Sequence, residues 1–170
     1  MQAPFVGHVC FTFDRLDALD KVGLAASLCP KVGLSDNLEW ALMALNEAFH
    51  IRHSILGPWH CDVVDTLNNI AGVYMRQREL IKAIDSYVEV ITVRSAIFGE
   101  MHPSVAVTSQ TLGTLHLWMS NFHEALQYFN YTLRIYKSDS MKLKDRHPLV
   151  QKAHDSIKNT ERLLVSGGNG

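Results

Sequence analysis

Residues 56–95 read LGPWHCDVVDTLNNIAGVYMRQRELIKAIDSYVEVITVRS, and a second stretch that begins at Phe98 repeats their pattern. Equivalent positions are numbered 42 apart, as in these pairs: His60 and His102, Thr66 and Thr108, Ala71 and Gly113, Ala83 and Ala125, Tyr87 and Phe129. The same template, moved back by the same offset, fits residues 38–57, so a third copy precedes these two. Self-similarity at a fixed period of this size is typical of stacked repeats.

Each copy places two small residues and an aromatic residue at fixed spacing. Ala71 and Ala83 in one copy, like Gly113 and Ala125 in the next, are small enough to let a neighbouring helix approach closely. The aromatic residue, four positions after the second small residue, fills the space between the helices. We therefore expect all four small residues to be buried where helices cross.

This spacing resembles the tetratricopeptide repeat. The longer period seen here, together with residues 66–74 and 99–106, is similar to the kinesin light chain subtype. The resemblance covers residues 38–163. It implies an all-α fold in which antiparallel helix pairs stack into a short right-handed α-solenoid.

Apolar periodicity and helix-end residues predict about seven helices. They cover residues 14–28, 36–54, 62–76, 80–97, 104–119, 122–137 and 147–165. The repeat domain then spans residues 14–165, with about three helix pairs and a C-terminal capping helix. Residues 1–13 form a lead-in, which is either extended, disordered or the edge of a longer protein, and residues 166–170 form a flexible tail. A charged loop is expected at residues 138–145.

Composition and charge exclude several partners and locations. The chain has 170 residues and a net charge of -1 with both signs interspersed, so neither nucleic acid nor an anionic membrane is expected to bind. No signal peptide and no apolar run long enough to span a membrane is present. Cys10, Cys29 and Cys61 form no CxxC pair, which argues for reduced thiols. These features favour the cytoplasm.

Nine histidines raise the question of a metal site. His60, His102 and His147 recur just before the first helix of each copy, where an imidazole can bond exposed backbone groups. His50 and His53 are spaced i, i+3, but no HExxH, cysteine pair or carboxylate cluster accompanies them. Glycine-rich phosphate loops and nucleophile motifs are also absent. We therefore expect no metal, no cofactor and no enzymatic activity.

A binding surface remains as the source of function. In repeats of this kind the first helices line a concave groove. Carried over by position, the resemblance places these residues on its inner face: Asp65, Asn68, Asn69, Arg76, Gln110, Thr111, Thr114, Trp118, Asn159 and Arg162. The amides of Asn69 and Gln110 either bond a peptide backbone or are merely solvated. Trp118 either stacks on a ligand or packs against the capping helix.

Two functional hypotheses follow. The first is a non-catalytic adaptor or scaffold that binds an extended protein or peptide ligand, or a partner helix, in the groove. The alternative is a structural fragment of a longer array that self-associates or stacks through its end faces. Polar groove residues favour the first hypothesis, whereas the small number of repeats favours the second.

Overall fold

The computed structural model describes residues 35–139 and 141–167, and these residues form six α-helices and no strand. The helices are α1 (Ser35–Leu56), α2 (Cys61–Arg76), α3 (Leu80–Phe98), α4 (Pro103–Trp118), α5 (Phe122–Lys137) and α6 (Pro148–Gly167). The all-α helical repeat fold is therefore confirmed. The lead-in, the helix predicted at residues 14–28, Cys10 and Cys29 lie outside the described residues.

Helix ends repeat their geometry from copy to copy. Gly57 and Gly99 follow α1 and α3 with positive φ angles of 82° and 90°. Glycine adopts this conformation without the steric penalty of a side chain. Arg78 and Ser120, which occupy equivalent positions of their copies, have φ angles of 64° and 61° in the turns after α2 and α4. The backbone thus follows the period of the sequence.

The described part of the chain divides into two compact units, with the boundary between Glu79 and Leu80. In the first unit α1 packs against α2. Ala41, Leu45 and Ala48 of α1 form a buried cluster with Ile70 and Val73 of α2. The small alanines bring the two helices close, and the branched side chains of α2 fill the remaining space.

In the second unit α3 packs against α4, and α4, α5 and α6 pack in succession. Its core cluster consists of Val105, Ala106, Ile135, Tyr136, Val150 and Ala153. These residues come from α4, α5 and α6, so one continuous core fixes the three helices. Among the described residues, no helix is both long and apolar enough to cross a membrane.

The four small residues predicted at helix crossings are all buried. The closest approach is at Gly113, where an added Cβ would lie 2.6 Å from Cε1 of Phe129. Real Cβ contacts are not this short, so glycine lets α4 and α5 cross at their observed distance. This part of the sequence interpretation is confirmed.

The segment between α5 and α6 carries the insertion of the last copy. It is charged, as expected, and Nζ of Lys137 lies 2.8 Å from Oδ1 of Asp145, a hydrogen bond that holds the pKa of that carboxyl below its usual range. However, Met141 and Leu143 pack against the core of the second unit. The backbone N–H of Leu143 also donates to the carbonyl of Tyr136 at 3.0 Å. The segment is therefore anchored to the core of the second unit, which its charged sequence did not predict.

Candidate functional site

The candidate site lies in the second unit, between α4 and α6. A cleft of about 510 Å³ opens there. Its lining residues are Thr114, Leu117, Phe129, Pro148, Gln151, Lys152, Asp155, Ser156 and Asn159. Leu117 and Pro148 supply apolar surface, Phe129 lies buried beneath it, and most of the α6 side chains are polar. The cleft can therefore offer both apolar contact and hydrogen bonds to one ligand.

Helices α4 and α6, which flank this cleft, begin with the same cap. A histidine Nδ1 accepts a hydrogen bond from the backbone N–H two residues later, at 3.2 Å for His102 before α4 and 3.3 Å for His147 before α6. His60 makes the same bond before α2, at 3.2 Å. Because four N–H groups at a helix start lack intrahelical partners, each bond satisfies one of them. The interpretation of these histidines as structural is confirmed.

Gln110 links the two helices of the site. Its Nε2 donates to Oγ of Ser156 on α6 at 3.1 Å, and that hydroxyl donates to the carbonyl of Lys152 at 2.9 Å. Oε1 of Gln110 is buried and has no hydrogen-bond partner among the residues that the structure describes. The amide of Gln110 therefore contacts α6 and is neither simply solvated nor free to bond a peptide through the N–H that it donates to Ser156.

Two threonines and a tryptophan complete the exposed side of α4. The hydroxyls of Thr111 and Thr114 donate to the carbonyls one turn earlier, at 3.1 Å and 3.0 Å. Thr114 lines the cleft, whereas Thr111 does not. Trp118, at the end of α4, is 49% exposed and so retains indole surface that a ligand could cover.

On α6 the structure brings Asn159 into the cleft beside residues that the list of inner-face sites omitted. Gln151, Lys152 and Ser156 line it, and Arg162 lies exposed one turn beyond. The insertion before α6 shifts its numbering by three residues relative to the earlier copies. Site residues that are assigned to α6 by repeat position are therefore less accurate. The helical spacing of these three lining residues from Asn159, which they precede by eight, seven and three residues, was the signal that could have found them.

The predicted residues of α2 belong to the first unit and not to this cleft. Asp65, Asn69 and Arg76 are exposed, and Asn68 is half-buried. The buried residues of α2 lie on its other positions, including Ile70 and Ala71, so these four polar side chains share the accessible side of the helix. The structure thus divides the predicted site between the two units.

His116 stands at the position that Tyr74 has in the preceding copy, and its ring packs against an aromatic neighbour. Its ring stacks on Tyr128 of α5 with centroids 5.3 Å apart. Burial lowers the pKa of His116 below its ordinary value of 6.5, and the nearby Glu124 carboxylate raises it in part. Within the described residues, no group of three potential metal ligands comes together.

Comparison with known proteins identifies the repeat type. Residues 62–138 match the family model described as tetratricopeptide repeat. A Podosopora anserina protein whose description names kinesin light chain and nearly identical TPR-like repeats is similar in two solved structures, both with a TM-score of 0.68. The identity is 15% for a variant with one substitution and 14% for the other structure, and the match covers 86% of this chain and 66% of theirs.

BtubC (BKLC) from P. vanneervenii is also similar, with a TM-score of 0.60 and 17% identity over 88% of this chain and 65% of that chain. At these identities the likeness shows the fold. The chain spans slightly less than two thirds of the length of the solved chains that it matches. No curated protein sequence matches it.

Proposed function

Because this chain carries kinesin light chain-like tetratricopeptide repeats, we propose that it is a non-catalytic interaction module that binds an extended peptide or a partner helix. Repeats of this type generally serve protein–protein interaction, since stacked helix pairs present extended surfaces. The observation that carries the proposal is the cleft between α4 and α6, which combines apolar and polar lining residues.

Hydrogen bonding to a peptide backbone is the proposed source of affinity. The amides of Gln151 and Asn159 can each donate to and accept from a main chain. Lys152 and Asp155 carry opposite charges in the same cleft, so net charge does not select the ligand. The bond from Gln110 to Ser156 holds α4 and α6 together, which reduces the entropy cost of binding.

Two further surfaces belong to the proposal. Trp118 lies four residues beyond Thr114 and offers an aromatic face to an apolar side chain of the ligand. In the first unit, the exposed polar side of α2, with Asn69 and Arg76, provides a separate contact surface. We also propose a cytoplasmic location, which the free thiol of Cys61 supports.

Selection of peptides from a random display library against the immobilised chain tests the proposal. Fluorescence anisotropy then gives the affinity of each selected peptide for the wild type and for the variant Thr114→Val/Asn159→Ala. We expect the variant to weaken binding by about 1 to 3 kcal/mol, because two polar cleft groups are removed. Asn130→Ala is the matched control, since Asn130 is exposed on α5 and does not line the cleft.

Failure to enrich any peptide would count against a binding module of this kind. Equal affinity of the wild type and the cleft variant, with unchanged melting temperatures, would place binding elsewhere. If Trp118→Ala weakens the binding of peptides with apolar residues but not of the others, Trp118 is the aromatic contact of those residues.

The alternative function is association of the chain with itself or with a longer array through an end face. Val165 is 70% exposed and Leu163 39% exposed near the end of α6, which favours this possibility. Sedimentation equilibrium distinguishes the two functions. Self-association that Val165→Lys abolishes would support the alternative, whereas a monomer at all concentrations would exclude its self-association form.

A further inference from the structure

Helix α1 carries two large apolar side chains on its exposed side. Trp40 is 70% exposed and Met43 is 64% exposed. They are three residues apart and therefore project from the same side of the helix. Ala41 and Leu45, which form part of the core cluster with α2, are almost completely buried. The packing of α1 on α2 thus does not explain Trp40 or Met43.

Comparison of the copies shows that the repeat fold does not need apolar residues here. The position of Trp40 is occupied in the next two copies by Lys82 and Glu124, and that of Met43 by Asp85 and Gln127, and all four are exposed. The apolar pair of α1 is therefore not required by the repeat, and contiguous exposed apolar surface marks interaction sites.

The apolar pair has an acidic border. Glu39 and Glu47 are exposed on α1, one before Trp40 and the other one turn beyond Met43. The sole lysine or arginine of α1 is Arg52, whose guanidinium donates to the hydroxyl of Thr66 on α2. No cation of α1 therefore balances the two carboxylates on this side.

We propose that the surface formed by Glu39, Trp40, Met43 and Glu47, the Trp40–Met43 face, docks an amphipathic helix of a partner protein with a basic border. Apolar residues of the partner at helical spacing cover Trp40 and Met43, and its lysines or arginines pair with the two glutamates. A second copy of the chain fits less well. Antiparallel pairing of α1 about Met43 places Glu39 opposite Glu47 of the other copy, so like charges meet.

A designed helical peptide of leucines bordered by lysines tests this proposal, with a matched peptide that carries glutamates in place of the lysines. The variant Trp40→Lys/Met43→Asp gives α1 the residues that α3 has at these positions. Ile81→Glu is the control. Ile81 is also 66% exposed, and this substitution gives α3 the glutamate that α1 has at the equivalent position. Titration calorimetry measures the affinities.

The wild type and Ile81→Glu should bind the lysine peptide at least about tenfold more tightly than the double variant does. They should also prefer it at least about tenfold over the glutamate peptide. Charge reversal by Glu39→Lys/Glu47→Lys should invert this preference, and this variant retains the apolar pair if the first one fails to fold. Equal affinities for both peptides would overturn the proposal. A wild-type dimer that the double variant dissociates would also overturn it, since the occupant would then be a second copy.

Discussion

The guanidinium of Arg94 donates a hydrogen bond of 2.8 Å to Oγ1 of Thr108 and so joins α3 to α4. The hydroxyl of Thr108 donates in turn to the carbonyl of Ser104 at 3.0 Å. In the first unit, at the equivalent positions of the preceding copies, Arg52 makes the same bond to Thr66 at 2.5 Å. The period of the sequence therefore extends to one specific bond between the second helix of a copy and the first helix of the next.

The last copy replaces both partners of this bond. Tyr136 and Ala153 stand at the positions of the arginine and the threonine, and both are buried in the core cluster of the second unit. A polar pair can be exchanged for an apolar pair at small cost, because neither group is then left without its partner. Removal of one partner alone is the costly change.

Thr108→Val should therefore lower the free energy of unfolding by about 1 to 3 kcal/mol, because the bond from the partly buried guanidinium of Arg94 to the Thr108 hydroxyl is lost. Urea unfolding followed by circular dichroism measures this. The double variant Arg94→Met/Thr108→Val should cost less than the two single changes together. If the destabilisation of the double variant equals the sum of the two single losses, the bond contributes nothing to stability.

Gly113→Ala should destabilise the protein by about 1 to 3 kcal/mol despite the better helix propensity of alanine. The new methyl would meet the ring of Phe129, which is only 1% exposed and has little room to move. In a Phe129→Leu background the same change should cost less, since the ring that it meets is gone. Unchanged thermal melting of Gly113→Ala would contradict the close crossing.

The histidine caps should contribute measurably to stability. His147→Ala removes the acceptor for the backbone N–H of Leu149 and should cost about 0.5 to 2 kcal/mol in thermal or urea unfolding. His147→Asp restores a side-chain acceptor and should recover most of the loss. Equal destabilisation by both substitutions would indicate that the imidazole matters through packing and not as a cap.

Acidification should destabilise the fold through His116. Because burial lowers the pKa of His116 in the folded state, the unfolded chain binds the proton more tightly. The contribution of the neutral ring is complete above the ordinary value of 6.5 and is lost as the pH falls from there through the lowered pKa. Urea unfolding from mildly acidic to mildly alkaline pH should show a weaker pH dependence for His116→Phe. Identical profiles for the two proteins would contradict this.

The two amides singled out in the sequence should behave differently. Gln110→Ala should lower the free energy of unfolding by about 0.5 to 1.5 kcal/mol, because its bond to Ser156 joins α4 and α6. Asn69→Ala should leave stability within about 0.5 kcal/mol of the wild type, since Asn69 is exposed. Thermal melts of both variants check this pair, and a larger loss for Asn69→Ala would contradict it.

Much of the fold could be read directly from the sequence. The constant offset between copies located Gly113 and Ala125 at helix crossings, and the recurrence of His102 and His147 identified the caps. Such features depend on local backbone geometry and on side-chain size at a fixed helical position. A repeated pattern therefore specifies them wherever it recurs.

The site depended on tertiary structure. The contact of Gln110 with Ser156 joins residues 46 positions apart, in copies whose register differs by the insertion before α6, so position alone did not reveal it. Partial burial of Leu143 within a charged segment and exposure of Trp40 and Met43 on α1 likewise depend on which surfaces neighbouring helices cover. A one-dimensional pattern states which residues are apolar, but only packing decides which of them lose contact with water.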